Sequence, residues 1–334
     1  MVRWAAAALV AASLAATTPA WATAKYAAKE KKACTYCHVS ADSVKLNTKG
    51  AYYKAHKLSL AGLPPAYVSS WRVEAPADAR RAALVDADGK HSMRVATLGA
   101  GTTLTLHKIA DGKAVTDTTV DLGPKASQFV AGSFSGASAG GSIVVPGAVF
   151  VKKGDAYTKI ASPSVEAITG SVRFTDGVEC AFFFDGAGQP SVWTVKPDAA
   201  DGLGYGPSMV MPDQGAGTYT WLTARLPVEA LAALGWPSDL IKTGIFGLVD
   251  ARADNTLSAW VVMGEGADAK IVVTDMAAIA AGSLKPIWTS PKLAGTVLDV
   301  AYGLDPKDGK TWGFLVLTAG KDNTGRTLEF FALD

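Results

Sequence analysis

The pentapeptide Cys34-Thr35-Tyr36-Cys37-His38 constrains this chain more than any other stretch, because it places two thiols and an imidazole at the spacing that attaches a haem covalently. In a Cys-x-x-Cys-His motif the two sulfurs add to the haem vinyl groups, and the following histidine is carried beneath the iron as proximal ligand. Other uses of the motif meet specific obstacles. A zinc site needs a second ligand pair, whereas the one remaining cysteine, Cys180, stands alone among Ala181, Phe182, Phe183 and Phe184. That setting predicts a buried thiol rather than half of a disulfide. A thioredoxin-like dithiol follows a buried strand, whereas Ala27 to Ala33 is a helix-forming run.

The N-terminus agrees with this chemistry. Arg3 precedes an apolar run from Ala5 to Ala16, and Ala20-Trp21-Ala22 or Ala22-Thr23-Ala24 supplies a small-x-small cleavage site. The run is shorter than the roughly 20 residues of a membrane-spanning helix, so residues 1–22 read as a secretory signal peptide cleaved after Ala22 or Ala24. A periplasmic or extracellular location is expected, which is where covalent haem attachment takes place in bacteria.

Charge is unevenly distributed. Lys25, Lys29, Lys31, Lys32, Lys45, Lys49, Lys54 and Lys57 face only Glu30 and Asp42 between residues 25 and 57, a net of +6, although the whole chain carries only +2. Such a basic collar suits steering toward an acidic redox partner protein, with a merely solvated face as the alternative. A membrane-associated or multi-cytochrome complex is a compatible setting, and nothing suggests nucleic acid.

Residues 25–65 form the expected haem module. Beyond His38 only His56, His91 and His107 offer imidazoles, and Lys45 to Leu58 reads as a helix with Tyr52 and His56 one turn apart. His56 is therefore the candidate distal iron ligand, with a surface histidine among lysines as the alternative and Met93 as second choice. The region resembles the minimal single-haem cytochromes c found as modules in exported bacterial proteins, in which an Asn-x-x-Gly-x-x-aromatic helix follows the haem motif. The matching residues are Cys34, Cys37, His38, Asn47, Gly50 and Tyr53. The resemblance covers about 40 residues and implies one covalent haem c and electron transfer.

After Leu63-Pro64-Pro65 the pattern changes to short β-type runs separated by Gly, Asp and Asn, so residues 70–334 are expected to form a mainly β domain. Candidate strands include Ser92 to Leu98, Thr103 to Ile109, Ser142 to Val151, Ile245 to Val249, Leu257 to Met263, Val297 to Tyr302, Thr311 to Leu317 and Leu328 to Leu333. Pro227 to Leu234 is the clearest helical run. Loosely repeated strand-turn-strand units predict a β-propeller of about six or seven blades, with a β-sandwich as the alternative for part of the body. Leu84 to Gly89 and Phe129 to Phe134 resemble elements of FG-GAP-type propellers. Ser133 replaces the usual aspartate and the later acidic residues of the calcium loop are missing, which argues against bound calcium.

The body offers little catalytic chemistry. His91 and His107 are isolated, no His-Glu-x-x-His occurs, and the glycine-rich stretch from Gly132 to Gly141 lacks the lysine of a phosphate loop. The expected function is that of an exported electron carrier rather than an enzyme, with the β domain docking a partner. The alternatives are a β domain that is a redox enzyme or ligand-binding module feeding the haem, and a haem sensor.

Overall fold

The computed structural model describes residues 29, 37–38, 46, 48–55, 66–88, 90–123, 126, 128–135, 140–161, 170–174, 179–184, 190–196, 198, 202–205, 219–225, 243–249, 258–275, 278–279, 281 and 284–334. The chain divides into two compact units, Met1–Pro64 and Pro65–Asp334. In the first unit the described helix is α1 (Thr48–Ala55), which lies within the 45–58 run read from sequence; residues 45, 47 and 56–58 are outside the described residues. His56 and the Pro227–Leu234 helix lie outside the described residues.

The second unit is mainly β. Its strands are β1 (Tyr67–Glu74), β2 (Arg81–Asp86), β3 (Met93–Leu98), β4 (Thr103–Ala110), β5 (Lys113–Asp121), β6 (Val130–Gly132), β7 (Ser142–Val145), β8 (Ala148–Lys153) and β9 (Ala156–Ala161). They continue with β10 (Gly170–Phe174), β11 (Glu179–Phe184), β12 (Pro190–Val195), β13 (Leu203–Tyr205), β14 (Tyr219–Arg225), β15 (Ile245–Val249) and β16 (Ser258–Met263). The last are β17 (Lys270–Asp275), β18 (Pro286–Thr289), β19 (Thr296–Leu304), β20 (Trp312–Ala319) and β21 (Arg326–Leu333). Every described strand pair is antiparallel, as expected where tight turns join neighbours. Asp111-Gly112, both at positive φ (50° and 72°), turns β4 into β5, the backbone twist a two-residue hairpin needs.

The run read as one strand from Ser142 to Val151 is two. Pro146-Gly147 breaks it, because proline lacks an N–H for the ladder and Gly147 takes φ 77°, and Val145 then pairs with Ala148 across a hairpin.

The described strands lie in four sheets. Two are plain four-strand meanders, β2-β3-β4-β5 and β6-β7-β8-β9. A third has the order β1-β21-β20-β19, so the first strand of the unit completes the sheet made by its last three. The fourth, of nine strands, joins the meanders β10 to β13 and β14 to β18 through antiparallel pairing of β10 with β14. Among the described residues five meanders thus stand where about six or seven repeats were expected.

Five apolar clusters fill the spaces between successive meanders, and side-chain alternation explains how. Successive residues on a strand point to opposite faces. On β20, Leu315 and Leu317 pack with Leu84, Met93 and Val95 of the β2–β5 side, while Phe314 and Val316 pack with Trp260, Val262 and Val273 of the β14–β18 side. Val85, Ala96 and Leu106 likewise meet Ile143 and Phe150. Val144 and Val149 meet Ala181 and Val195, and Val172, Phe182 and Val192 meet Phe246, Leu248 and Val261. Each meander is therefore covered on both faces, and the last packs on the first. Double-sided burial is why β15, β16 and β20 read as continuous apolar runs instead of alternating ones.

Candidate functional site

Within the first unit, Cys37 is half-buried at a turn and His38 follows it, its backbone bridged to Leu46. This bridge brings the segment before α1 back against the motif. Helix α1 then presents Gly50 to the Cys37 carbonyl: a Cβ on residue 50 would collide with that oxygen and would lie 2.9 Å from Leu46 Cδ2. Only glycine permits the approach. Tyr53, one turn on, is buried. A thiol and an imidazole adjacent in sequence, neither fully buried, make up a donor set that fits a covalently held haem through Cys37 and His38. Cys34 and His56, the other two expected haem residues, lie outside the described residues.

The body carries a second candidate site. The first strands of the five meanders, β2, β6, β10, β14 and β19, neighbour one another in that order and return from β19 to β2. Together they line one cavity of about 580 Å³. Strand register separates its two ends. Gly170 pairs with Ala224 and Arg173 with Trp221, so Arg225 and Arg173 stand at opposite ends of the β10–β14 pair.

At one end, Asp299 accepts hydrogen bonds from the backbone N–H groups of Ala82 (3.0 Å) and Val300 (3.1 Å). Arg81 Nη1 lies 4.0 Å from its carboxylate, and Arg225 Nη1 donates to the Leu298 carbonyl at 2.8 Å. Burial pushes the Asp299 pKa above the ordinary carboxylate value, against the pull of both guanidinium groups and the two amides. Burial lowers the Arg225 pKa, and the neighbouring positive charge of Arg81 adds to that shift. Thr223, two residues before Arg225 and so on the same strand face, lines the cavity. Its Oγ1 is buried and makes no hydrogen bond among the described residues.

At the other end Arg173 donates to Glu179 Oε1 (2.7 Å) and lies over the Trp312 ring, 5.8 Å from its centroid. Glu179 Oε2 accepts the Ser133 N–H at 2.7 Å. Ser133, the residue that departs from the FG-GAP pattern, thus contributes its backbone to this wall.

The remaining sequence candidates separate. Asp86 and Asp88 accept hydrogen bonds from backbone amides of their own turn, including His91 to Asp86 (2.9 Å) and Lys90 to Asp88 (2.8 Å). The Ser92 hydroxyl donates to Asp88 at 2.6 Å and, as the largest influence, helps hold its pKa down at about 2. His91 is exposed, His107 is buried against Thr97, and Met93 sits in an apolar cluster of the body. Sequence reading overlooked Gly136-Ala137-Ser138-Ala139-Gly140, which has the spacing of a nucleophile elbow but falls between the antiparallel partners β6 and β7, not between a strand and a helix. Residues 136–139 are outside the described set. Trp260 and Trp288 belong to the core between meanders, with Trp288 stacked on Phe314 at 6.1 Å. Sequence reading missed Arg81, Arg225 and Asp299, because no local motif links positions so far apart.

No family model and no curated protein matches the chain. Among solved structures, the crystal structure of BBS1N in complex with ARL6DN, soaked with mercury, matches with a TM-score of 0.37 and 9% identity over 81% of this chain and 98% of that one. So low a score carries no argument about this chain. No helix among the described residues is long and apolar enough to cross a membrane.

Proposed function

We propose that the chain is an exported single-haem c-type cytochrome that transfers electrons, with its β domain docking a redox partner. The single observation that carries this reading is the Cys34-Thr35-Tyr36-Cys37-His38 motif. Cys34 and Cys37 would tether one haem c, His38 would be the proximal iron ligand and His56 the distal one. When bound, the haem supplies one-electron redox chemistry. The chain's own contribution is positional: the His38–Leu46 bridge and the seat of Gly50 on Cys37 support a fixed orientation of the motif. The lysine collar favours encounter with an acidic partner protein, in the periplasm or outside the cell.

The body we read as a five-bladed β-propeller rather than the alternative sandwich. Circular packing of five meanders and completion of the last sheet by β1 support this reading.

The test is the visible and EPR spectrum of the purified mature protein, oxidised and reduced, with the intact mass, beside a His56→Ala variant. The expected result is one covalent haem, low-spin in the wild type and high-spin in the variant. A mature chain without covalent haem would refute the cytochrome reading, and a variant that stays low-spin would refute His56 alone.

A second reading is favoured by one observation. The polar groups converging on the cavity of the body suit a ligand-binding module that delivers electrons to the haem or senses a small molecule.

A further inference from the structure

We propose that the Arg81–Arg225 end of the body's cavity binds a small organic monocarboxylate, its carboxylate held between the two guanidinium groups and its apolar part against Leu84 and Phe129. This rests on the second reading above and is independent of haem ligation.

Charge balance comes first. Among the described residues, the Arg, Asp, Glu and His side chains that line the cavity are Arg81, Asp86, His91, Arg173, Glu179, Arg225 and Asp299. Arg173 is matched by Glu179 at 2.7 Å, and Asp86, at the far end of β2 from Arg81, accepts hydrogen bonds from the amides of its own turn. That leaves two guanidinium groups and one carboxylate at the opposite end, where Asp299 is 15% exposed and Arg81 23%. An unmatched positive charge in so enclosed a place is costly unless something neutralises it.

Geometry gives the same answer. Arg81 approaches Asp299 only to 4.0 Å, too far for a hydrogen bond, whereas the Asp299 oxygens accept from the Ala82 and Val300 amides. Arg225 makes one hydrogen bond among the described residues, to the Leu298 carbonyl. Each guanidinium carries five N–H donors in a planar fork that matches a carboxylate. The Thr223 hydroxyl, buried and without a hydrogen bond among the described residues, adds a further donor on the Arg225 face.

Ligand class follows from the surplus. Two positive charges and one negative leave a single charge to be matched, which a monocarboxylate does. Inorganic phosphate, a mixture of mono- and dianion at neutral pH, would in its dianionic form bring excess negative charge beside Asp299. The volume of about 580 Å³ exceeds what a bare anion fills, and Leu84, Phe129 and Ala301 provide apolar wall for an aliphatic or aromatic body.

The experiment is isothermal titration of the full mature chain with acetate, hexanoate, benzoate and inorganic phosphate. Expected is saturable binding of hexanoate or benzoate, tighter than acetate and phosphate, and weakened about tenfold or more by Arg81→Gln and by Arg225→Gln. Arg173→Gln, at the far end, should change it less than about twofold. Circular dichroism and melting identify any variant that fails to fold, and Arg225→Lys, which keeps the charge but not the fork, then replaces Arg225→Gln with the same loss expected. Phosphate binding more tightly than every carboxylate would overturn the monocarboxylate class and leave the body a ligand binder. Carboxylate binding abolished by Arg173→Gln but untouched by the other variants would overturn the site. No saturable heat with any probe at roughly millimolar concentration would overturn both the site and the ligand-binding reading.

Discussion

Phe314 tests how firmly the last sheet, with β1 at its edge, is held to β14–β18. It lies on β20 with no exposed surface, in the cluster that joins the last meander to β14–β18. Its ring centroid is 4.8 Å from Tyr67 of β1, 5.0 Å from Tyr302 of β19, 5.4 Å from Trp260 of β16 and 6.1 Å from Trp288 of β18. Phe314→Ala removes a fully buried ring and leaves large, rigid neighbours that cannot collapse into the space. Such truncations cost about 3–5 kcal/mol, and four aromatic neighbours place this one in the upper half of that range. For a domain of this size each kcal/mol lowers Tm by about 2–4 °C, so a fall of roughly 10 °C or more is expected. Urea unfolding followed by tryptophan fluorescence and thermal melting followed by circular dichroism measure it. Val115→Ala, at a side chain 49% exposed, is the control and should stay within about 0.5 kcal/mol. A loss below about 1 kcal/mol for Phe314→Ala, with the urea dependence unchanged, would refute the idea that this interface holds the first and last strands to the rest. If Phe314→Ala gives no folded protein, Phe314→Leu should lie between it and the wild type.

Two further outcomes follow from buried polar contacts. Trp71 Nε1 donates to Asp305 Oδ1 at 2.9 Å in a buried bond that ties β1 to the turn after β19, while its ring stacks on Phe330; Trp71→Phe should lose the bond but keep the stack, costing about 1–2 kcal/mol in urea unfolding, and an unchanged midpoint would show the bond contributes nothing. His107 is buried with Nε2 2.8 Å from Thr97 Oγ1, and burial lowers its pKa from the ordinary 6.5. The unfolded chain then binds a proton more readily than the folded one, so this contribution is complete above about pH 6.5 and is lost as pH falls below it. His107→Gln should therefore show a shallower loss of stability between roughly pH 7.5 and pH 5 than the wild type, and identical slopes would remove His107 from the acid sensitivity.

Legibility followed exposure. Strands covered on both faces, such as β16 (Ser258–Met263) and β20 (Trp312–Ala319), are apolar runs that can be read directly. The outer strands β5 (Lys113–Asp121) and β9 (Ala156–Ala161) escaped notice because most of their residues are exposed or half-exposed and polar, so no apolar period marks them. Their presence is instead signalled by turn chemistry, Asp111-Gly112 before β5 and Gly154-Asp155 before β9, where Gly112 and Gly154 take positive φ. Among the described residues five meanders stand against the six or seven expected, an expectation that rested on length and loose repetition rather than on any residue pattern that marks a blade.

By itself the sequence determined the Cys-x-x-Cys-His motif at Cys34, Cys37 and His38 and the β character of the body, because both are carried by neighbouring residues: five consecutive positions for the motif, strand-length apolar runs for the sheets. Only the tertiary structure decided that Tyr67 to Glu74 completes the sheet of Arg326 to Leu333, and that Arg81, Arg225 and Asp299 share one end of a cavity. Those choices depend on which faces of separate strands bury one another. Chain segments more than 200 residues apart are brought together by the summed apolar burial of five meanders, which no local stretch encodes.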